Sequence, residues 1–150
     1  MPTRNLILRT LPALCLLPTL AFAHSNATGV VKERMDIFKS WKQGMKQLSP
    51  MAKGKLPLDS DWVADFARQL QAESTRVQGL FPEGSDQRPS EALPTVWSER
   101  EKFEGLFDQL ADNAEALLGA AESESFDGVV QATGALGKTC KSCHDDFKED

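Results

Sequence analysis

Tyrosine, histidine and long apolar runs are what this chain has least of. Its 150 residues include no Tyr and two His, and the one sustained apolar stretch is the short run from Leu11 to Leu20. A helix that crosses a bilayer needs about 20 apolar residues, so that run is too short to span, and Pro12 and Pro18 interrupt it. No segment alternates apolar and polar residues with period two, which excludes half-buried strands. An excess of basic residues is also missing: 17 Lys and Arg face 22 Asp and Glu, for a net charge of −5. Phosphate binding needs a positive surface, so neither nucleic acid nor an anionic membrane suits this composition. Internal repeats and flexible linkers are absent, and the length suits one domain.

The first residues read as a leader. Arg4 and Arg9 make a basic start, the Leu11 to Leu20 run follows, and Ala21-Phe22-Ala23 supplies small residues before a cleavage point. Residues 1–23 are therefore expected to be a removed signal peptide, with the mature domain at 24–150 and a periplasmic location. Two arginines and no acids leave with the leader, so 15 basic residues remain against 22 acids and the net charge becomes −7. An acidic mature chain suits a basic redox partner. Cys15 also leaves, and Cys140 and Cys143 are the two cysteines that stay.

Apolar positions in the rest of the chain recur at helical spacing. The first helix is expected from about Ser25 to Leu48, with Val31, Arg34, Phe38, Trp41, Met45 and Leu48 on its seam and Ser49-Pro50 as its stop. The second runs from about Ser60 to Gly79, capped by Asp59 or Ser60. An irregular stretch from Phe81 to Pro94 follows, and loops this long in small domains usually serve a function, such as covering a ligand. The third helix covers about Val96 to Ala121 and the fourth about Ser125 to Lys148. Four helices of this length predict an all-α, antiparallel four-helix bundle.

Cys140-Lys141-Ser142-Cys143-His144 is the attachment pattern of a c-type haem. Residues three apart on a helix share a side, so both sulfurs can reach vinyl groups on one edge of a porphyrin. His144 projects from the same face and is the expected axial ligand of the iron. The competing readings fit less well. A disulfide would close a very small loop and leave His144 unexplained. A thioredoxin-like pair lacks its βαβ setting. A zinc site lacks ligands, since His24 is the only other histidine. Arg34 is a charge on an apolar seam, which leaves it two outcomes: its guanidinium reaches water at the bundle end, or it meets an anion such as a haem propionate.

At this point the chain resembles the cytochrome c′ family over essentially all of the mature region. The resemblance rests on Arg34 with Phe38, the Phe81-Pro82-Glu83-Gly84-Ser85 loop, the Leu93-Pro94-Thr95-Val96-Trp97-Ser98 segment, and the terminal Cys-Lys-Ser-Cys-His-Asp-Asp-Phe-Lys. It implies one covalently attached haem c, with Arg34, Met35, Phe38 and Asp86 as further haem-contacting residues and Arg34 on a propionate. It also implies that Phe38 covers the distal side of a five-coordinate iron that binds NO or CO. A homodimer packed through the first two helices is a further implication. Lys148 stands four residues after His144, where the family carries a basic residue, often Arg.

A second reading is a low-spin electron-transfer cytochrome in which a first-helix methionine, Met35 or Met45, supplies the sixth ligand. Enzymatic turnover is not expected, because the distal face of the first helix carries no histidine or other positioned acid or base.

Overall fold

The computed structural model describes residues 27–149, so the expected leader, its cleavage point and His24 lie outside the described residues. Five helices follow one another: α1 (Gly29–Ala52), α2 (Ser60–Gln78), the single turn α3 (Thr95–Ser98), α4 (Arg100–Glu122) and α5 (Phe126–Phe147). Among the described residues there is no strand, only an isolated bridge between Ala92 and Lys148.

Side-chain pairs show that successive long helices run antiparallel. Glu33 and Ser40 of α1 meet Arg76 and Gln69 of α2. Arg68 and Gln78 of α2 meet Glu122 and Asp108 of α4, and Lys102 and Asn113 of α4 meet Asp146 and Thr139 of α5. α2 with α4 and α4 with α5 are the extensive contacts, whereas α1 meets both α2 and α5 sparsely. α1 and α4 therefore occupy one diagonal of the bundle. The core is filled by side chains such as Leu48, Val63, Leu70, Phe103, Leu117 and Leu136. Burying each of them is worth about 1.5–3 kcal/mol.

Two helix boundaries and one helix face differ from the sequence expectation. Pro50 does not stop α1, which continues to Ala52. A proline in the last turn removes a single hydrogen bond, and the stop comes from Gly54, whose φ of +66° lets the chain turn back. The backbone N–H groups of Gly54 and Lys55 then donate to Met51 and Pro50. The expected third helix is broken at Glu99, which leaves helical geometry at φ −117° and ψ 43°. The break aims α3 inward, burying Val96 and letting the Trp97 indole N–H donate to the carbonyls of Phe81 and Pro82. The buried stripe of α1 is also rotated from the expected seam. Its members are Arg34, Ile37, Trp41, Gly44, Leu48 and Met51, and Val31, Phe38 and Met45 sit half-buried on one flank. At α2 the Asp59 carboxylate caps the helix, accepting from the Trp62 N–H at 3.0 Å.

Gly44 sets how α1 meets α2. A Cβ at this position would lie 2.0 Å from the ring of Phe66, which is itself buried and stacked on Trp62 at 5.4 Å. Gly44→Ala should lower stability by about 1–3 kcal/mol through overpacking, read as a reduced denaturant midpoint. An unchanged midpoint would mean that α1 can lift away from α2 freely.

Candidate functional site

The last two turns of α5 carry Cys140, Cys143 and His144. Both thiols are free and half-buried. Burial pushes the Cys143 thiol up to about 12, with the neighbouring Cys140 and Asp146 adding to it, and burial also raises Cys140. Neither sulfur is therefore activated as a free nucleophile at neutral pH. The His144 pKa is lowered, first by desolvation on the side toward the bundle and then by the charge of Lys148, with Lys42 of α1 adding a smaller effect. A lowered pKa keeps the imidazole neutral, which is the form that ligates a metal.

Upstream of His144 the same face of α5 runs Cys140, Gly137, Thr133, Val130 and Phe126, at steps of three and four. Phe126 and Val130 are 43% and 38% exposed, unusual for large apolar side chains on a bundle helix. The Thr133 hydroxyl is buried with no hydrogen-bond partner, and a Cβ on Gly137 would meet nothing within 4 Å. On α1, Ser40, Gly44 and Gln47 face α2, so the opposite flank of Val31, Met35, Phe38, Lys42 and Met45 faces α5. The half-buried stripe of α5 and the half-buried flank of α1 thus oppose each other.

Arg34 stands at one end of this region, 3% exposed. Its guanidinium donates to the Leu80 carbonyl and the Ser85 hydroxyl at 2.8 Å, the Ser85 carbonyl at 2.5 Å and the Ser90 hydroxyl at 2.7 Å. It also lies 4.2 Å over the Phe81 ring. The expectation that it reaches water is thereby settled against. All four acceptors are neutral, so desolvation lowers the Arg34 pKa, offset in part by the charge of exposed Asp86. A buried cation whose hydrogen-bond partners are all neutral favours an anion beside it.

The 79–94 segment held by Arg34 continues to the end of α5. The Leu93 N–H donates to the Phe147 carbonyl, the Glu149 N–H to the Glu91 carbonyl, and the Thr95 hydroxyl to the Asp146 carbonyl. Lys148 pairs with Glu91 at 3.0 Å and so pins this junction. Phe38 contacts Phe81 at a ring separation of 6.3 Å and Trp41 edge-on at 5.3 Å. Phe81 packs on Phe103, and Phe103 on Phe147, three residues after His144.

The structure therefore brings Arg34, Phe38 and the α5 motif to one side of the bundle. Met35 is half-buried on the same flank, and Asp86 is exposed near Arg34 without an ion pair to it. Sequence reasoning did not find Ser85, Ser90 or the Leu80 carbonyl as partners of Arg34. The only signal was Ser85 closing the Phe81-to-Ser85 loop.

Two thiols and an imidazole on one helical face, an apolar stripe beside them and a buried cation fit a flat, apolar, doubly anionic macrocycle. These features define a c-type haem bundle. A family model described as Cytochrome C′ matches residues 29–148. Cytochrome c′ of Pararhodospirillum photometricum is 36% identical over 120 residues, covering 79% of this chain and 95% of that protein. The structure of cytochrome c prime from Shewanella frigidimarina is 32% identical with a TM-score of 0.75, covering 81% of this chain and 94% of that one. A mutant of cytochrome c prime from Alcaligenes xylosoxidans, solved as its nitric oxide complex, matches at 26% identity and a TM-score of 0.73, covering 81% and 94%. The chain belongs to the cytochrome c′ family and carries covalently attached haem c with its iron.

Replacing Arg34 by Ala should leave the Leu80 and Ser85 carbonyls without their donor. The expected cost is about 3 kcal/mol in denaturant unfolding, with faster amide exchange from Leu80 to Ser90. Unchanged exchange protection there would show that the loop orders itself without Arg34.

Proposed function

We propose that this protein is an exported cytochrome that binds small uncharged gases at the iron of a single haem c. Cys140 and Cys143 would hold the haem through thioether links, and His144 would ligate its iron. Arg34 would hold a propionate, with Met35, Phe38 and Asp86 around the same group. When bound, the haem would supply an iron that can take a small ligand and exchange one electron.

The observation that carries the gas-binding reading is Phe38. Its ring cannot ligate a metal, and it is braced on the α5-facing flank of α1 by Trp41 and Phe81. It excludes water and offers no hydrogen bond to a bound anion, which leaves NO and CO as the favoured ligands. A family relative solved with nitric oxide supports this. No His or carboxylate stands among Val31, Met35, Phe38, Lys42 and Met45, so the reading does not include acid–base turnover.

Residues 1–23 support export to the periplasm, where the chain would lose its leader. Among the described residues no helix is long and apolar enough to cross a membrane. The homodimer implied by the family resemblance would use the outer groove of α1 and α2, lined by Ser40, Gln43, Gln47, Trp62 and Gln69.

A second reading has a specific basis in Met35 and Met45, both half-buried on the same flank as Phe38. If either ligated the iron, the protein would be a low-spin electron carrier. Absorption spectra separate the two readings. The gas-binding reading expects a high-spin ferrous spectrum that shifts on adding CO or NO and is unaffected by Met35→Leu or Met45→Leu. A low-spin spectrum that CO leaves unchanged, and that either substitution converts to high-spin, would overturn it. Haem removed by acid–acetone would overturn the thioether assignment.

A further inference from the structure

The charge of this acidic chain is distributed unevenly about the proposed haem edge. Residues 37–58 contain five lysines and no acid, in a protein with 22 acids. Lys39, Lys42, Lys46, Lys53 and Lys55 are all exposed, and none forms an ion pair among the described residues. At 3.6 residues per turn, Lys39, Lys42 and Lys46 fall within about 60° of one another on the outward side of α1. Lys42 follows Phe38 by one turn, so this row borders the flank that faces α5. On α5, exposed Lys138 is likewise unpaired two residues before Cys140.

Acids are most numerous elsewhere, although α5 carries Asp127, Asp145 and Asp146, the last two paired with Lys141 and Lys102. α4 carries six acids and two bases, and Glu101, Asp108, Asp112 and Glu115 are exposed on it. Since α4 is diagonal to α1, charge is polarised across the bundle, with the positive side on the outward face of α1 that borders α5. The whole-chain charge suggests a basic partner, but the local charge at this edge favours the opposite. Electrostatic docking is decided by the facing patches, because fields beyond a Debye length of about 10 Å at 0.1 M salt are screened.

We propose that the outward face of α1 around Lys39, Lys42 and Lys46 is the docking surface for an acidic one-electron redox protein. One electron passes between the haem iron and the partner's centre, oxidising one and reducing the other, with no bond or proton exchanged. The proposal rests on the α1–α5 side being the haem edge. A protein partner fits better than a lipid surface, because the chain's overall negative charge opposes a broad anionic plane.

The test uses holoprotein whose haem has first been shown to resist acid–acetone, so that a failure of docking is not confused with a failure of attachment. Reduced protein is mixed with ferricyanide and, separately, with tris(phenanthroline)cobalt(III) at rising ionic strength. Despite the net negative charge, the ferricyanide rate should fall with salt and the cobalt rate should not. Lys42→Glu with Lys46→Glu should lower the low-salt ferricyanide rate about tenfold, whereas Asp112→Asn with Glu115→Gln on α4 should leave the salt dependence unchanged. Amide NMR shifts on adding poly-L-glutamate should concentrate at residues 39–46. A ferricyanide rate that rises with salt, or shifts scattered away from α1, would overturn the proposal. Binding to phosphatidylglycerol vesicles, with no amide shifts on adding poly-L-glutamate, would overturn it in favour of a membrane surface.

Discussion

The arrangement of the site depends on one buried cation. Arg34 enters the bundle from α1 with four hydrogen bonds, all to the 80–90 segment, and no other group among the described residues makes so many contacts across so long a sequence separation. An arginine can do this because its rigid fork presents several donors at fixed angles, which a lysine cannot match. The consequence is mechanical. The segment between α2 and α3 would otherwise be a long surface loop, and Arg34 instead makes it a strap between α1 and the end of α5.

That strap matters because α1 is the least firmly packed of the long helices. α2, α4 and α5 interlock through a continuous apolar core, whereas α1 touches its two neighbours at few places. It is held at Gly44 against Phe66, at Trp41 whose indole donates to Glu73 at 2.6 Å, and through the strap at Arg34. A helix fixed at separated points can keep a constant distance from α5 while the faces between them remain only half-buried. The side chains on those faces are therefore left free to meet a cofactor, and the interlocked core supports them from behind.

The family, the helical fold and the haem cofactor were legible in the sequence. The Cys140–His144 spacing is a local property of one helix, so it survives any arrangement of the rest. The bundle followed from helical periodicity, because an apolar stripe must be covered by another stripe whatever the loops do. The errors were of two kinds. Pro50 and Glu99 show that helix ends depend on neighbouring turn chemistry and on what the following segment packs against. The rotated stripe of α1 had a different cause: Val31, Phe38 and Met45 are as apolar as Ile37 and Leu48, and composition cannot distinguish a core position from a half-buried flank.

The sequence by itself thus determined the haem-attachment motif, the family resemblance and the helical class, since each is encoded over a few consecutive turns. Only the tertiary structure decided what Arg34 binds, which flank of α1 faces α5, and where the lysines of α1 stand relative to the acids of α4. Those outcomes depend on residues tens of positions apart, and a guanidinium that could reach water or the interior on local grounds is committed only when Leu80, Ser85 and Ser90 close around it.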